Sequence, residues 1–244
     1  MGRMPNIQGV HQSQILTHSV LVGLTPLIPI PFVDEMVREL LLRRMVRILA
    51  AAHRVDLSPA EVRTLADEPK ESWFKGAAMS VVLMPIKLIV RKAFFVLQGK
   101  RVIDLASTAY HRGYLLDVAF ADRWCVPEGP RRPHEIRQAI DAVCREANTE
   151  PVAWAFRAGL EQSWQGMIGV VGCLRTRLGK GGGPAAREAA EARVSQVVED
   201  ATSEASGIGT VVGRVHKTIS EVPSQHFEDL RSRLHAKLGG NDRA

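Results

Sequence analysis

Asp104, Ser107 and His111 fall at i, i+3 and i+7, so one face of a single helix would carry an acid, a hydroxyl and an imidazole. That is the residue inventory of nucleophilic acyl transfer, in which an imidazole takes the proton of a serine hydroxyl. The chemistry needs the hydroxyl exposed on a sharp turn, whereas a serine inside a regular helix donates to a carbonyl one turn earlier. A polar helix face or a small buried hydrogen-bond network is therefore the plainer expectation, and no catalytic residue is assigned. Gly179-Lys180 has the ending of a phosphate-binding loop. Leu174 stands where that motif needs its first glycine, Gly181 where it needs Ser or Thr, and no strand precedes it, so a nucleotide site is rejected. The 8 histidines form no HxxxH or HExxH pair, and none sits at ligand spacing from a cysteine. No local motif calls for a metal or a cofactor, and a site assembled from distant positions is left open.

Those side chains sit in a chain of 244 residues with 45% hydrophobic and 24% charged residues, which excludes a disordered or polytopic membrane protein. The net charge of +6 comes from 32 basic and 26 acidic groups that are interspersed. Arg43, Arg44, Arg47 and the Arg131-Arg132 pair accordingly read as solvated faces, and no nucleic-acid partner is expected. Cys125, Cys144 and Cys173 are odd in number and wrongly spaced for a disulfide framework or a metal knuckle, which points to free thiols in a reducing cytoplasm. No secretory signal is read at the N-terminus.

From Met4 to Val33 there is no Asp, Glu, Lys or Arg. The run ends in Pro26, Pro29 and Pro31, which predict an extended apolar connector. Asp34 to His53 predicts an amphipathic helix with a basic polar face, and Ser58-Pro59-Ala60-Glu61 a capping box opening a short helix to about Ala66. A helix kinked at Pro85 is expected over Ser72–Gln98, and after Gly99 another over Lys100–Arg123. A Pro/Gly-rich linker follows at 125–133, then helices at Glu135–Ala147 and Val152 to about Leu178, the last with Gly166, Gly169 and Gly172 as a smooth strip. The pattern over Ala185–Val222 predicts one long helix, and Gln225–Leu238 a terminal amphipathic one. The expected fold is all-α: a helical core domain over 14–178, a Gly-rich joint at 179–184, and a long C-terminal helical arm over 185–240.

Two surfaces could do the work. Apolar stretches bordered by cations suggest contact with an anionic lipid surface through Leu21, Leu24, Leu27, Ile28, Ile30, Phe32 and Met84, with Lys87, Arg91 and Lys92 at headgroup level. The heptad-like stripe carrying Val194, Val197, Val198, Ile208, Val211 and Val215 suggests self-association or pairing with a protein partner's helix, as in a coiled coil.

The segment Gly23-Leu-Thr-Pro-Leu-Ile-Pro-Ile-Pro, the helix containing Arg44-Met-Val-Arg-Ile-Leu-Ala-Ala-Ala-His and the cap Val55-Asp-Leu-Ser-Pro-Ala-Glu-Val resemble a bacterial helical domain of unknown function. That domain occurs in YcjF-type inner-membrane proteins and beside small GTPases. The resemblance covers about residues 20 to 120. Phe32 departs from its usual glycine, and Lys87, Arg91 and Lys92 replace residues that are mostly glycine and alanine. The resemblance supplies no catalytic residues. It implies a non-enzymatic helical protein of the bacterial cytoplasm, peripheral to or dipping into the inner membrane and partnering a GTPase. The alternative is a soluble helical scaffold acting through the 194–222 stripe.

Overall fold

The computed structural model describes residues 9–27, 33–67, 90–125, 129, 132–161, 163, 196 and 207–239. Over these residues the chain is all-α, with eight α-helices, one 3-10 turn and no strand.

The first helix, α1 (Gly9–Leu24), runs into the 3-10 turn Thr25–Leu27. Every residue from Ile15 to Thr25 is buried. A helix apolar all round belongs in a core, and α1 packs along α4 (Val90–Ala121) and against α2 (Val33–Ala52) and α7 (Gly207–Ile219). Two of its buried polar atoms bond one turn back: Ser19 Oγ donates to Ile15 O at 2.7 Å and His18 Nδ1 to Gln14 O at 2.8 Å. The Ile15–Thr25 part of the charge-free run is thus central core.

Asp34 and Glu35 open α2, where carboxylates suit the helix dipole. Arg43 on α2 forks onto both oxygens of Asp67, at 2.8 and 2.7 Å, just beyond α3 (Pro59–Ala66). The capping box of α3 forms as the sequence predicts: Ser58 N donates to Glu61 Oε2 at 2.8 Å and Ser58 Oγ accepts from Glu61 N at 3.3 Å. The break expected at Gly99 does not occur, because α4 passes straight through it. A Cβ there would meet nothing within 4 Å, so this glycine relieves no clash. Its cost of about 1 kcal/mol in a helix is outweighed by the burial of Val102, Ala106, Tyr110, Leu116 and Phe120 downstream. The remainder of the kinked helix expected from Ser72 lies outside the described residues.

Pro133, at the first position, opens α5 (Pro133–Glu146), two residues earlier than expected. An Asn148 side chain accepting from Glu150 N at 3.1 Å opens α6 (Glu150–Glu161). The glycine strip and the 179–184 joint lie outside the described residues.

The described C-terminal helices pack back onto the core. Helix α7 lies against α6, and α8 (Ser224–Gly239) against α5 and α4. Val211, Val215, Ile219 and Val222 are buried, as are Phe227, Leu230, Leu234 and Leu238, and all join the same core cluster as α1, α2 and α4. At the α6–α7 crossing Thr218 Oγ1 donates to Ala155 O at 2.7 Å. A Cβ on Gly159 would come within 2.8 Å of Val215 Cα. Gly159→Ala should therefore lower the free energy of unfolding in urea by about 2 kcal/mol, the cost of overpacking against backbone. A chain with α7 undocked would instead gain up to about 1 kcal/mol from alanine's helix propensity.

Candidate metal centre

Two helices end in the same way. At the C-terminus of α2, Val55 N bonds Ala50 O at 2.8 Å and Arg54 N bonds Ala51 O at 3.1 Å, with Arg54 at φ 57°. At the end of α4, Trp124 N bonds Ala119 O at 3.0 Å and Arg123 N bonds Phe120 O at 3.1 Å, with Arg123 also at φ 57°. Both are Schellman closures with arginine in the left-handed position where glycine is usual. In α2 the closure makes His53 the C-cap and turns its ring back towards α4, where it lies 6.3 Å from the Phe120 ring.

His53 meets Asp117 there, with Nε2 2.7 Å from Oδ1. His11, from the first turns of α1, meets the same oxygen through Nδ1 at 3.1 Å. The two imidazoles cross edge to face with centroids 4.9 Å apart. The Asp117 side chain is 7% exposed, against 14% for His11 and 17% for His53, so the carboxylate lies inside and the rings separate it from solvent. One candidate ligand atom from each of the three residues falls within 4.8 Å of the other two.

A carboxylate oxygen only accepts, so these bonds place a proton on His11 Nδ1 and on His53 Nε2. The same two nitrogens and the same carboxylate are what a divalent first-row cation needs. Bonds of about 2.0–2.1 Å in a tetrahedron set ligand atoms about 3.3 Å apart. The two histidine–carboxylate separations, 3.1 and 2.7 Å, are somewhat tighter and widen by about half an ångström or less around a cation, while the two imidazole nitrogens, within 4.8 Å of each other, draw together to the same spacing. To bind, each imidazole moves its proton to the other ring nitrogen or loses one, which makes proton and metal competitors. Local spacing missed this set because the three residues are 106 and 64 positions apart along the hydrogen-bonded pairs. The usable signal was Asp117 itself, an isolated acid within the apolar run Tyr114-Leu-Leu-Asp-Val-Ala-Phe120.

The Asp104, Ser107, His111 constellation resolves into local bonds. Ser107 Oγ donates to Ile103 O at 2.6 Å, and His111 Nδ1 bonds the Ser107 carbonyl at 2.7 Å. Asp104 is exposed while Ser107 and His111 are buried, so acid and imidazole do not form a relay. Burial lowers the His111 pKa to about 4, partly opposed by the Ser107 carbonyl, and pushes the thiols of Cys125 and Cys144 up to about 11. Neither cysteine is a thiolate at neutral pH.

The proposed lipid contacts fare unevenly. Leu21 and Leu24 are fully buried between α1 and its neighbours and are not available to a membrane, a correction that follows from α1 being a core helix. Leu27 packs partly buried against the core. Arg91 and Lys92 lie in the first turn of α4, and Ile28, Ile30, Phe32, Met84 and Lys87 fall outside the described residues. No helix among the described residues is long and apolar enough to cross a membrane. In the proposed partner stripe, Val211 and Val215 are spent on the intramolecular contact with α6, so they cannot serve a partner while α7 is docked. Ile208 lies in α7, and Val194, Val197 and Val198 are outside the described residues.

The chain matches no protein-family model, no curated protein and no solved structure. What fold and site define together is an all-α multi-helix protein with a histidine–carboxylate cluster at the junction of three helices.

Proposed function

We propose that this chain is a divalent-metal-binding helical protein whose cation is held by His11 Nδ1, His53 Nε2 and the Asp117 carboxylate. The observation that carries the reading is the convergence of these three ligand atoms from α1, the α2 C-cap and α4. Two imidazoles and one carboxylate suit Zn²⁺ best among commonly available cations, since Mg²⁺ and Ca²⁺ prefer all-oxygen sites. Three protein ligands leave a coordination position for water, the arrangement of an exchangeable rather than a closed site. Because the ligands meet only in the folded chain, the metal binds native and not unfolded protein and stabilises it. Zn²⁺ at about one hundred times its Kd should raise the melting temperature by about 5–10 °C at pH 7.5, and by less at pH 6 where protons compete. An unchanged melting temperature at saturating Zn²⁺ would remove the proposal.

A second reading, contact with an anionic membrane surface, keeps Arg91 and Lys92, which open α4 directly after the apolar stretch from Gly76. Flotation with anionic liposomes at low salt tests it, and protein left at the bottom of the gradient ends it.

A further inference from the structure

A second pair of histidines lies elsewhere in the fold and has no part in the metal proposal. His111 on α4 and His226 in the first turn of α8 face each other with Nε2 atoms 3.0 Å apart and ring centroids 5.2 Å apart. His111 spends its Nδ1 proton on the Ser107 carbonyl, so its Nε2 is an acceptor and His226 Nε2 is the donor. One further proton fits on His226 Nδ1 without disturbing this bond. A second, on His111 Nε2, would put two N–H groups head to head within 3.0 Å, and the contact must open. We infer that the His111–His226 pair is a latch, closed while at most one of its rings is protonated and released when both are, freeing the N-terminal half of α8 from α4.

The surroundings favour release at that end of α8. Tyr114 Oη donates to Phe227 O at 3.0 Å, and the Phe227 ring packs on Tyr114 and Tyr110 with centroids at 5.1 and 6.2 Å, so opening uncovers an aromatic face. Tyr114 stays neutral throughout, its pKa raised to about 12 by burial. Asp229, on α8, favours the charged form of His226, while burial of both rings opposes it. Further along α8, charge pairs hold the helix down: Arg231 and His235 meet Asp122 at the end of α4, at 3.1 and 2.8 Å, and Lys237 meets Glu146 on α5 at 2.7 Å. These contacts keep the C-terminal half of α8 in place, so the helix hinges about it.

Amide hydrogen exchange of the full chain, corrected for intrinsic rates, tests the latch. With His111 near 4 when closed and about 6.5 when open, opening of α8 around Phe227 should become at least roughly 30-fold more frequent from pH 8 to pH 5. These amides should exchange faster than those of α1 at both pH values. His111→Gln should cut the factor to a few-fold. His226→Gln, at a half-buried position that keeps a donor to His111, should also lower it. A wild-type factor below about three overturns the latch, as does an undiminished factor in both variants or exchange of α8 and α1 in step at both pH values.

Discussion

Replacing Asp117 by Ala should lower the unfolding free energy of the metal-free chain by about 3 kcal/mol, read from urea denaturation. The side chain accepts from both His11 and His53 and is almost wholly buried, so its loss leaves two ring N–H groups unpaired and a small cavity in α4's inner face. Asp117→Asn separates the structural from the ligating role. Asn keeps the shape and one accepting oxygen, and should cost only about 1 kcal/mol, the difference between a neutral and a charge-assisted acceptor. It should nevertheless abolish stabilisation by Zn²⁺, because an amide oxygen is a poor ligand beside two imidazoles. Equal stability losses in both variants, with the Zn²⁺ response retained in Asp117→Asn, would reduce the cluster to a structural polar network.

The second large effect is acid lability from the core. His18 on α1 is fully buried, and burial lowers its pKa to about 4, the Gln14 carbonyl opposing and Arg44 adding to the shift. Among the described residues its Nε2 has no hydrogen-bond partner. His111 is lowered to about 4 as well. For both, the folded value lies below the unfolded value of about 6.5, so the unfolded chain binds more protons between them. Stability is complete above pH 6.5, falls as pH drops through that window and levels off below about 4. At pH 5 each ring accounts for a loss of about 2 kcal/mol relative to pH 8. His18→Leu removes one of them, together with the orphaned nitrogen, so the pH 8 to pH 5 loss in urea stability should shrink by about 2 kcal/mol. An unchanged pH dependence in that variant would show that His18 is not held neutral by the core.

What the sequence revealed and what it hid follow from the range of the forces involved. Helix α2 and the Ser58–Glu61 cap were legible because their determinants lie within one turn of each other. The apolar stripe of α8 was legible for the same reason, and Phe227, Leu230, Leu234 and Leu238 are all buried. The Val211–Val215 stripe was equally visible, but periodicity says that a face is covered, not by what. Here it is covered by α6, through the space left at Gly159. The charge-free N-terminal run was ambiguous in the same way, since an all-apolar helix suits a membrane or a core, and Ile15–Thr25 went to the core. Gly99 misled because propensity is weak against a long buried face. The His11–His53–Asp117 cluster was hidden because it exists only once α1, α2 and α4 have packed together.

Calorimetric titration of Zn²⁺ into the chelator-stripped full chain at pH 7.5, beside His53→Gln, tests the metal proposal most directly. The account predicts one Zn²⁺ per chain for the wild type and at least roughly 100-fold weaker binding once one of three ligands is lost. No saturable binding to the wild type, or the same affinity and stoichiometry in His53→Gln, would contradict it.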